Sequence, residues 1–295
     1  MTFSIVAIDK KNGEAGFAVS SCSWDSGVVG ITKGGKGAIV SQAKGNTVFK
    51  ELFFQYLEEG LDNKEILAHF KEIDPDIDTR QVGMITQKEG PLSFTGEKCT
   101  PYAGHRLGED YAIQGNILVS SEVVDSMAET FKSTDASLAE KLFAALQAGD
   151  AAGGDARGKQ SARICVSKKE IPWGDSDILI DIRVEDHEEP VQEIGRILKK
   201  GLILRDVYWL TTALSNATGE EKVNLLNKLE NFLQGKEDRA YIDFWNTLGN
   251  TQLELGFKDK AIQTFRKYLQ ISPKMRPIFE ADVAKGKYPE EILGE

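Results

Sequence analysis

The sequence predicts a mixed α/β (α+β) protein: a layered sandwich of sheets covered by paired helices over residues 1–188, then an all-helical tail over residues 189–295. Three observations carry this. Short β-rich runs separated by glycine turns open the chain and recur further along it. Two stretches switch to helical spacing, each long enough for two successive helices. The β character stops at Asp186-His187-Glu188-Glu189-Pro190, and everything beyond reads as helix. Helices that come in pairs between groups of strands suit a sandwich with helices on its outer faces. A doubly wound sheet would instead alternate single helices with strands.

The elements follow in order. SIVAID at 4–9 is a strand, KKNGE a turn, and AGFAVSS at 15–21 the returning arm of a hairpin. Strands are expected at 28–32 and 38–43, with Lys33-Gly34-Gly35-Lys36-Gly37 turning between them. Phe49, Leu52, Phe53, Tyr56 and Leu57 recur at helical spacing, as do Ile66, Leu67 and Phe70 after the break at Gly60-Leu61-Asp62. Asp62 and Glu65 have the spacing of a capping box for the second of these helices. Strands are expected at 81–87 and 112–118, helices at 121–131 and 137–148, and strands again at 162–167 and 178–184. In the tail, Gly201, Gly219, Gly235 and Gly256 read as punctuation between helices. Trp245, Leu248, Gly249, Gly256, Ala261, Phe265 and Pro273 match the skeleton of one tetratricopeptide-like repeat over about 242–275, with Gln252 where that skeleton has tyrosine. A single repeat must stack on neighbouring helices, so the tail is expected to cap the protein or make a homo-oligomer; the alternative is a groove for a protein partner.

Composition narrows the function classes. The chain has 295 residues, 41% apolar and 28% charged, the balance of a folded protein. A net charge of -10 argues against nucleic acid and against an anionic membrane surface. No run approaches the roughly 18 apolar residues of a membrane span, and MTFSIVAIDKKNGE lacks the basic start of a signal peptide. Cys22, Cys99 and Cys165 are odd in number and widely spaced, which points to reduced thiols in the cytoplasm and to no disulfide framework. No His, Asp or Glu grouping has metal-ligand spacing, and no cofactor is expected.

Three places can carry chemistry. Methionine is commonly removed from a Met1-Thr2 start, leaving Thr2 with a hydroxyl and a free α-amine of pKa about 7.7 that can act as its own base. The block 96–116, GEKCTPYAGHRLGEDYAIQGN, leads into an apolar strand in which Gly115 and Asn116 offer a backbone N–H and a side-chain amide, the donors of an oxyanion hole. His105 lies in this block as a candidate substrate contact, against the plainer reading of a long loop between strands. In AGDAAGGDARGKQSAR at 148–163, Asp155, Arg157, Gln160 and Ser161 form a polar cluster in which an Asp-x-Arg pair can hold a carboxylate or orient an amine. The plainer reading there is a surface loop with an internal ion pair of little energetic consequence. The spacing of a phosphate-binding loop is absent.

MTFSIVA, GFAVSS, VSQAKGN, TGEKCTPYAGH, YAIQGN and AGGDARGKQSA, taken in order, resemble the family catalogued as domain of unknown function 1028, which is N-terminal-nucleophile-hydrolase-like. The resemblance covers residues 2–187. It implies a four-layer αββα sandwich like that of proteasome subunits, and a nucleophilic Thr2 surrounded by Gln42, Asn46, Asn116, Asp155, Arg157, Gln160 and Ser161. The activity implied is amide hydrolysis of a small peptide-like or acyl-amino substrate. The rivals are a non-catalytic scaffold working through its tail, and a cysteine hydrolase using Cys22 or Cys99.

Overall fold

The structure, a computed structural model, describes residues 2–171 and 176–294; the expected removal of Met1 concerns a residue outside the described ones. Packing divides the chain into one unit that ends at Lys199 and another that begins at Lys200. Among the described residues the first unit holds two antiparallel sheets. Its strands are β1 (Thr2–Asp9), β2 (Glu14–Ser21), β3 (Gly30–Lys33), β4 (Gly37–Ala43), β5 (Arg80–Thr86), β6 (Gly90–Thr95), β7 (Gly104–Leu107), β8 (Tyr111–Asn116), β9 (Ser161–Lys168) and β10 (Ile178–Val184). The larger sheet runs β10-β9-β2-β1-β8-β7 and the smaller β3-β4-β5-β6.

Helices α1 (Val48–Glu58) and α2 (Asn63–Ile73) pack on β4, β5 and β6 of the smaller sheet, and α3 (Glu122–Ser133) and α4 (Leu138–Ala151) pack on the larger one. The expected break at Gly60-Leu61-Asp62 separates α1 from α2, and Asp62 with Glu65 closes the capping box. The two sheets face each other through β1, β2, β4, β5 and β8. A strand covered on both sides is buried along its whole length, as β2 is and as β1 is up to Ile8. The 28–32 strand is shorter than expected, because a turn of 3-10 helix takes Ser26–Val29 first. Strands β6 and β7 carry no clear alternation and were not expected; pairing with β5 and β8 creates them.

Alternation along each strand sorts its side chains between a helix-facing layer and the layer between the sheets. In β1, Phe3 lies beside Gly149 of α4, whereas Ser4, Val6 and Ile8 face the opposite sheet. The inter-sheet layer changes character along its length. One end is apolar, built from Val6, Ile8, Ala15, Phe17, Val19, Ala38, Val40, Ile85, Ala112 and Cys165. At the other end the same strands contribute Thr2, Ser4, Ser21, Gln42, Gln81, Gln114 and Asn116, all buried.

In the second unit, α5 (Pro190–Asn216) enters from the first and is followed by α6 (Gly219–Leu233), α7 (Ile242–Glu254), α8 (Lys258–Ile271) and α9 (Arg276–Ala284). Gly201 lies inside α5 rather than ending a helix, a correction to the sequence reading. A glycine stops a helix only where a positive φ is needed; Gly219, Gly235 and Gly256 have one and Gly201 does not. The α7–α8 hairpin closes over Gly249, where an added Cβ would lie 2.8 Å from the Phe265 ring. Gln252 is buried and accepts a 2.7 Å hydrogen bond from Thr264 Oγ1 across the same hairpin. No helix among the described residues is long and apolar enough to cross a membrane.

Candidate active site

Thr2 begins β1 at the polar end of the inter-sheet layer, opposite Asn116 of β8. Its carbonyl accepts hydrogen bonds from Gln42 Nε2 at 3.2 Å and Asn116 Nδ2 at 3.4 Å. Its Oγ1 donates to Ser21 Oγ at 3.3 Å, because Ser20 pairs with Phe3 and so puts the next residue of β2 beside Thr2. Three of the expected site elements therefore converge: the first residue of β1, the end of β4 and the end of β8.

What holds them is a set of amides from four strands. Gln81 Oε1 accepts from Gln42 Nε2 at 2.7 Å and from Asn116 Nδ2 at 3.1 Å. Gln81 Nε2 faces the carbonyls of Gly115 at 2.9 Å and Gly104 at 3.2 Å. Carbonyls only accept, so that side of the amide must be its nitrogen. Ser4 Oγ lies 2.6 Å from both Gln42 Oε1 and Gln114 Nε2 and links the two. Gln114 needs room: a Cβ on Gly83 would fall 1.9 Å from its Oε1, so only glycine fits opposite it. Such a buried network, with each amide partnered, rigidifies its members and specifies one arrangement of them. Gln81, Gln114 and Ser4 were missed from sequence. The one available signal was a polar residue at an inward position of an otherwise apolar strand.

His105 of β7 joins the edge of this network, its Nδ1 lying 3.0 Å from Thr95 Oγ1. Thr95 Oγ1 in turn receives Gln81 Nε2 at 2.9 Å. Burial, with the Arg106 charge beside it, pushes the imidazole below its ordinary value.

Asp155 and Arg157 meet each other. Asp155 is only 3% exposed at its side chain, so it is not half of a surface ion pair as the plainer sequence reading had it. Its Oδ2 accepts from the Cys22 N–H at 2.9 Å and its Oδ1 from the Arg157 N–H at 2.8 Å, tying the turn after β2 to the 153–158 loop. Ser161 is buried and donates to the Ser23 carbonyl at 2.6 Å while accepting from the Ser26 N–H at 3.1 Å, which pins the same turn. Gln160 donates its N–H to the Ser21 carbonyl at 3.2 Å and its side chain to Asp186 at 3.3 Å. These three form a layer behind Ser21. Asn46 belongs elsewhere: its Nδ2 donates to Asp74 at 2.9 Å and its backbone N–H to Ser41 Oγ at 3.0 Å, which shapes the turn into α1.

Two residues next to the network have left-handed backbone: Ala43 after Gln42, at φ 68°, and Ile117 after Asn116, at φ 50°. A β-branched residue is rarely found there, and such strain concentrates at functional sites. Ile117 is held by its N–H to Thr100 O at 2.9 Å and by its carbonyl accepting from Ala156 N–H at 3.3 Å. Cys99 is the reverse of an activated thiol. Burial pushes it up, and its Sγ donates to the Arg80 carbonyl at 3.3 Å. Cys165, in the apolar layer, is pushed up to about 12. Among the described residues no group of three or more His, Cys, Asp or Glu is arranged to hold a metal ion.

Fold and site thus define a mixed α/β protein whose two antiparallel sheets meet over an amide-lined end that fixes the first described residue. Residues 2–194 match the model of a family of unknown function, DUF1028. The chain belongs to that family. It is similar to protein SPO2555 from Silicibacter pomeroyi, a DUF1028 protein with a crystal structure, at 25% identity and a TM-score of 0.61, covering 68% of this chain and 88% of that one. No curated protein matches the sequence.

Proposed function

We propose that this protein is an amide hydrolase of the N-terminal-nucleophile type, acting on a small peptide-like or acyl-amino substrate through Thr2 once Met1 is removed. The observation that carries the reading is the grip on Thr2: two buried amides on its carbonyl and a hydroxyl contact to Ser21 at the polar end of the sheets. The packing of α3–α4 on one sheet and α1–α2 on the other supports reading the first unit as the four-layer αββα sandwich of that class. The buried Gly249–Phe265 contact and the Gln252–Thr264 bond support reading α7–α8 as a single tetratricopeptide-like repeat. Its proposed role is structural capping or self-association, in a cytoplasmic protein without a nucleic-acid or membrane partner.

In this mechanism the freed α-amine takes the Thr2 hydroxyl proton, and Oγ1 attacks the substrate carbonyl carbon. The C–N bond breaks, and the leaving amine departs with the proton held by the ammonium. Water, deprotonated by the same amine, then cleaves the ester and regenerates the hydroxyl. Both Nδ2 hydrogens of Asn116 already have acceptors, Thr2 O and Gln81 Oε1. To act as oxyanion donor it must release its 3.4 Å contact to Thr2 O, which Gln42 still holds. Asp155 serves by fixing the turn after β2 and pairs with the guanidinium of Arg157, which at 45% exposed would meet a substrate carboxylate from its solvent side while keeping that pair. The saturation of the amides is the observation that favours the rival, a non-catalytic binding or scaffold protein.

The test compares protein beginning at Thr2 with protein retaining Met1, on a panel of amides and activated esters. Processed protein should turn over, Thr2→Ser should keep part of that activity, and Thr2→Ala and the Met1-bearing chain should lose it. The rate should rise with pH through the α-amine, about 7.7 when unperturbed. Equal activity with and without Met1 rules out an amine-activated Thr2, and no turnover by processed protein leaves the scaffold reading in place.

A further inference from the structure

We propose that His105 is a positioning residue for Thr2: through Thr95 and Gln81 it holds the amides that grip the Thr2 carbonyl, and its protonation loosens that grip. The proposal builds on Thr2 as the working residue, but the coupling can be read without turnover.

The chain of contacts is continuous. His105 Nδ1 is 3.0 Å from Thr95 Oγ1, which is 2.9 Å from Gln81 Nε2. Gln81 Oε1 receives both Gln42 and Asn116, and these two donate to Thr2 O. Donor and acceptor roles fix its polarity. Gln81 Nε2 can only donate, so Thr95 Oγ1 accepts there and keeps its own proton for His105. Nδ1 then accepts, and the imidazole is neutral with its hydrogen on Nε2. The half-buried setting of the ring favours that neutral form, as does the neighbouring guanidinium.

The charged surroundings are few. Arg106 is next in sequence and is itself paired with Asp125 of α3 and with Tyr102. Of the elements packed on β7, β6 carries no ionisable side chain, β8 carries Tyr111, and α3 carries Glu122, Asp125, Glu129 and Lys132. Tyr111 lies on the helix side against Phe131. When Nδ1 takes a proton it becomes a donor. Thr95 Oγ1, with two lone pairs, then accepts from both His105 and Gln81 and turns its own proton elsewhere. The new positive charge pushes the Gln81 Nε2 hydrogens away from Thr95 toward their other acceptors, the carbonyls of Gly104 and Gly115. Because the folded-state value is lowered, stability from this contact is present above the unfolded histidine value, about 6.5, and is lost as pH falls through the folded one.

The experiment is NMR on the full chain, following imidazole C–H and side-chain NH2 signals through acid titration. Only three histidines are present, so single variants assign His105. The NH2 signals of Gln81, Asn116 and Gln42 should shift with the His105 midpoint, below about 6.5. Thr95→Val should leave His105 titrating and flatten the amide response, while Thr95→Ser should retain it. If Thr95→Val does not fold, His105→Gln should abolish the shared midpoint. Amide signals that stay flat while His105 titrates, or that respond equally in Thr95→Val, overturn the proposal. A chain with no turnover whose amides follow His105 keeps this coupling and removes the hydrolase reading; turnover with flat amides does the reverse.

Discussion

Replacing Asp155 with alanine removes the acceptor for two backbone N–H groups, those of Cys22 and Arg157. Each buried donor left without a partner costs about 1–3 kcal/mol, so Asp155→Ala should lower stability by roughly that much for each one that water does not reach. Arg157→Ala should cost at most about 1 kcal/mol, because the guanidinium is half exposed and the ion pair is screened. Denaturant melts of the two variants check this. Equal losses would mean that the pair acts as a unit and that the backbone acceptors matter little. If the hydrolase reading holds, Arg157→Ala should instead weaken turnover of carboxylate-bearing substrates at nearly unchanged stability.

At the scale of elements, two helical glycines should respond oppositely to the same change. Gly249 of α7 lies against the Phe265 ring, with no space for a Cβ. Gly249→Ala should therefore destabilise the second unit by about 1–3 kcal/mol through overpacking. Gly201 has nothing within 4 Å of an added Cβ and lies within α5. Gly201→Ala should stabilise by about 0.5–1 kcal/mol, by restricting the unfolded chain and raising helix propensity. Thermal melts with opposite shifts are the expected result; shifts of one sign would contradict the packing at one of the two sites. The amide-lined end of the sandwich was only partly readable at this scale. Gln42 and Asn116 are among the residues the family resemblance points to, while Gln81, at the start of one expected strand, and Gln114, inside another, look like ordinary surface alternation.

Two further predictions concern the whole molecule. Val191, Ile194 and Leu198, in the first turns of α5, are buried, and Gly195 lies against Phe143 of α4. A chain cut after Lys199 should therefore fold and melt cooperatively, whereas one cut after Glu188 should be weaker. Each lost apolar side chain is worth up to about 1.5–3 kcal/mol. Equal melts for the two truncations would show that α5 contributes nothing to the first unit. The acid limb of stability should depend on Asp74. Burial alone would raise its carboxyl, but hydrogen bonds from Arg80, Asn46 and the Asp76 N–H hold it below the usual range. A depressed carboxyl contributes stability that is present above its unfolded value, about 3.9, and lost as pH falls through the folded one. Asp74→Asn should flatten that limb; an unchanged acid profile would mean that other carboxylates dominate it.

The sequence by itself determined the class of fold, the order of most elements, the capping of α2 and the change to an all-helical tail. These follow from periodicity and local chemistry, which act over a few residues. It also singled out Thr2, Gln42 and Asn116. Only the tertiary structure decided which polar residues meet. Gln81 and Gln114 became part of the site because two sheets face each other there, and Asn46 left it because its turn runs toward Asp74. Asp155 changed from a surface charge to a buried acceptor for the same reason: its partner is the N–H of Cys22, distant in sequence and brought close by the pairing of β2 with β9. A hydrogen bond between strands of different sheets leaves no periodic trace in the chain, so its members are visible only once the sheets are assembled.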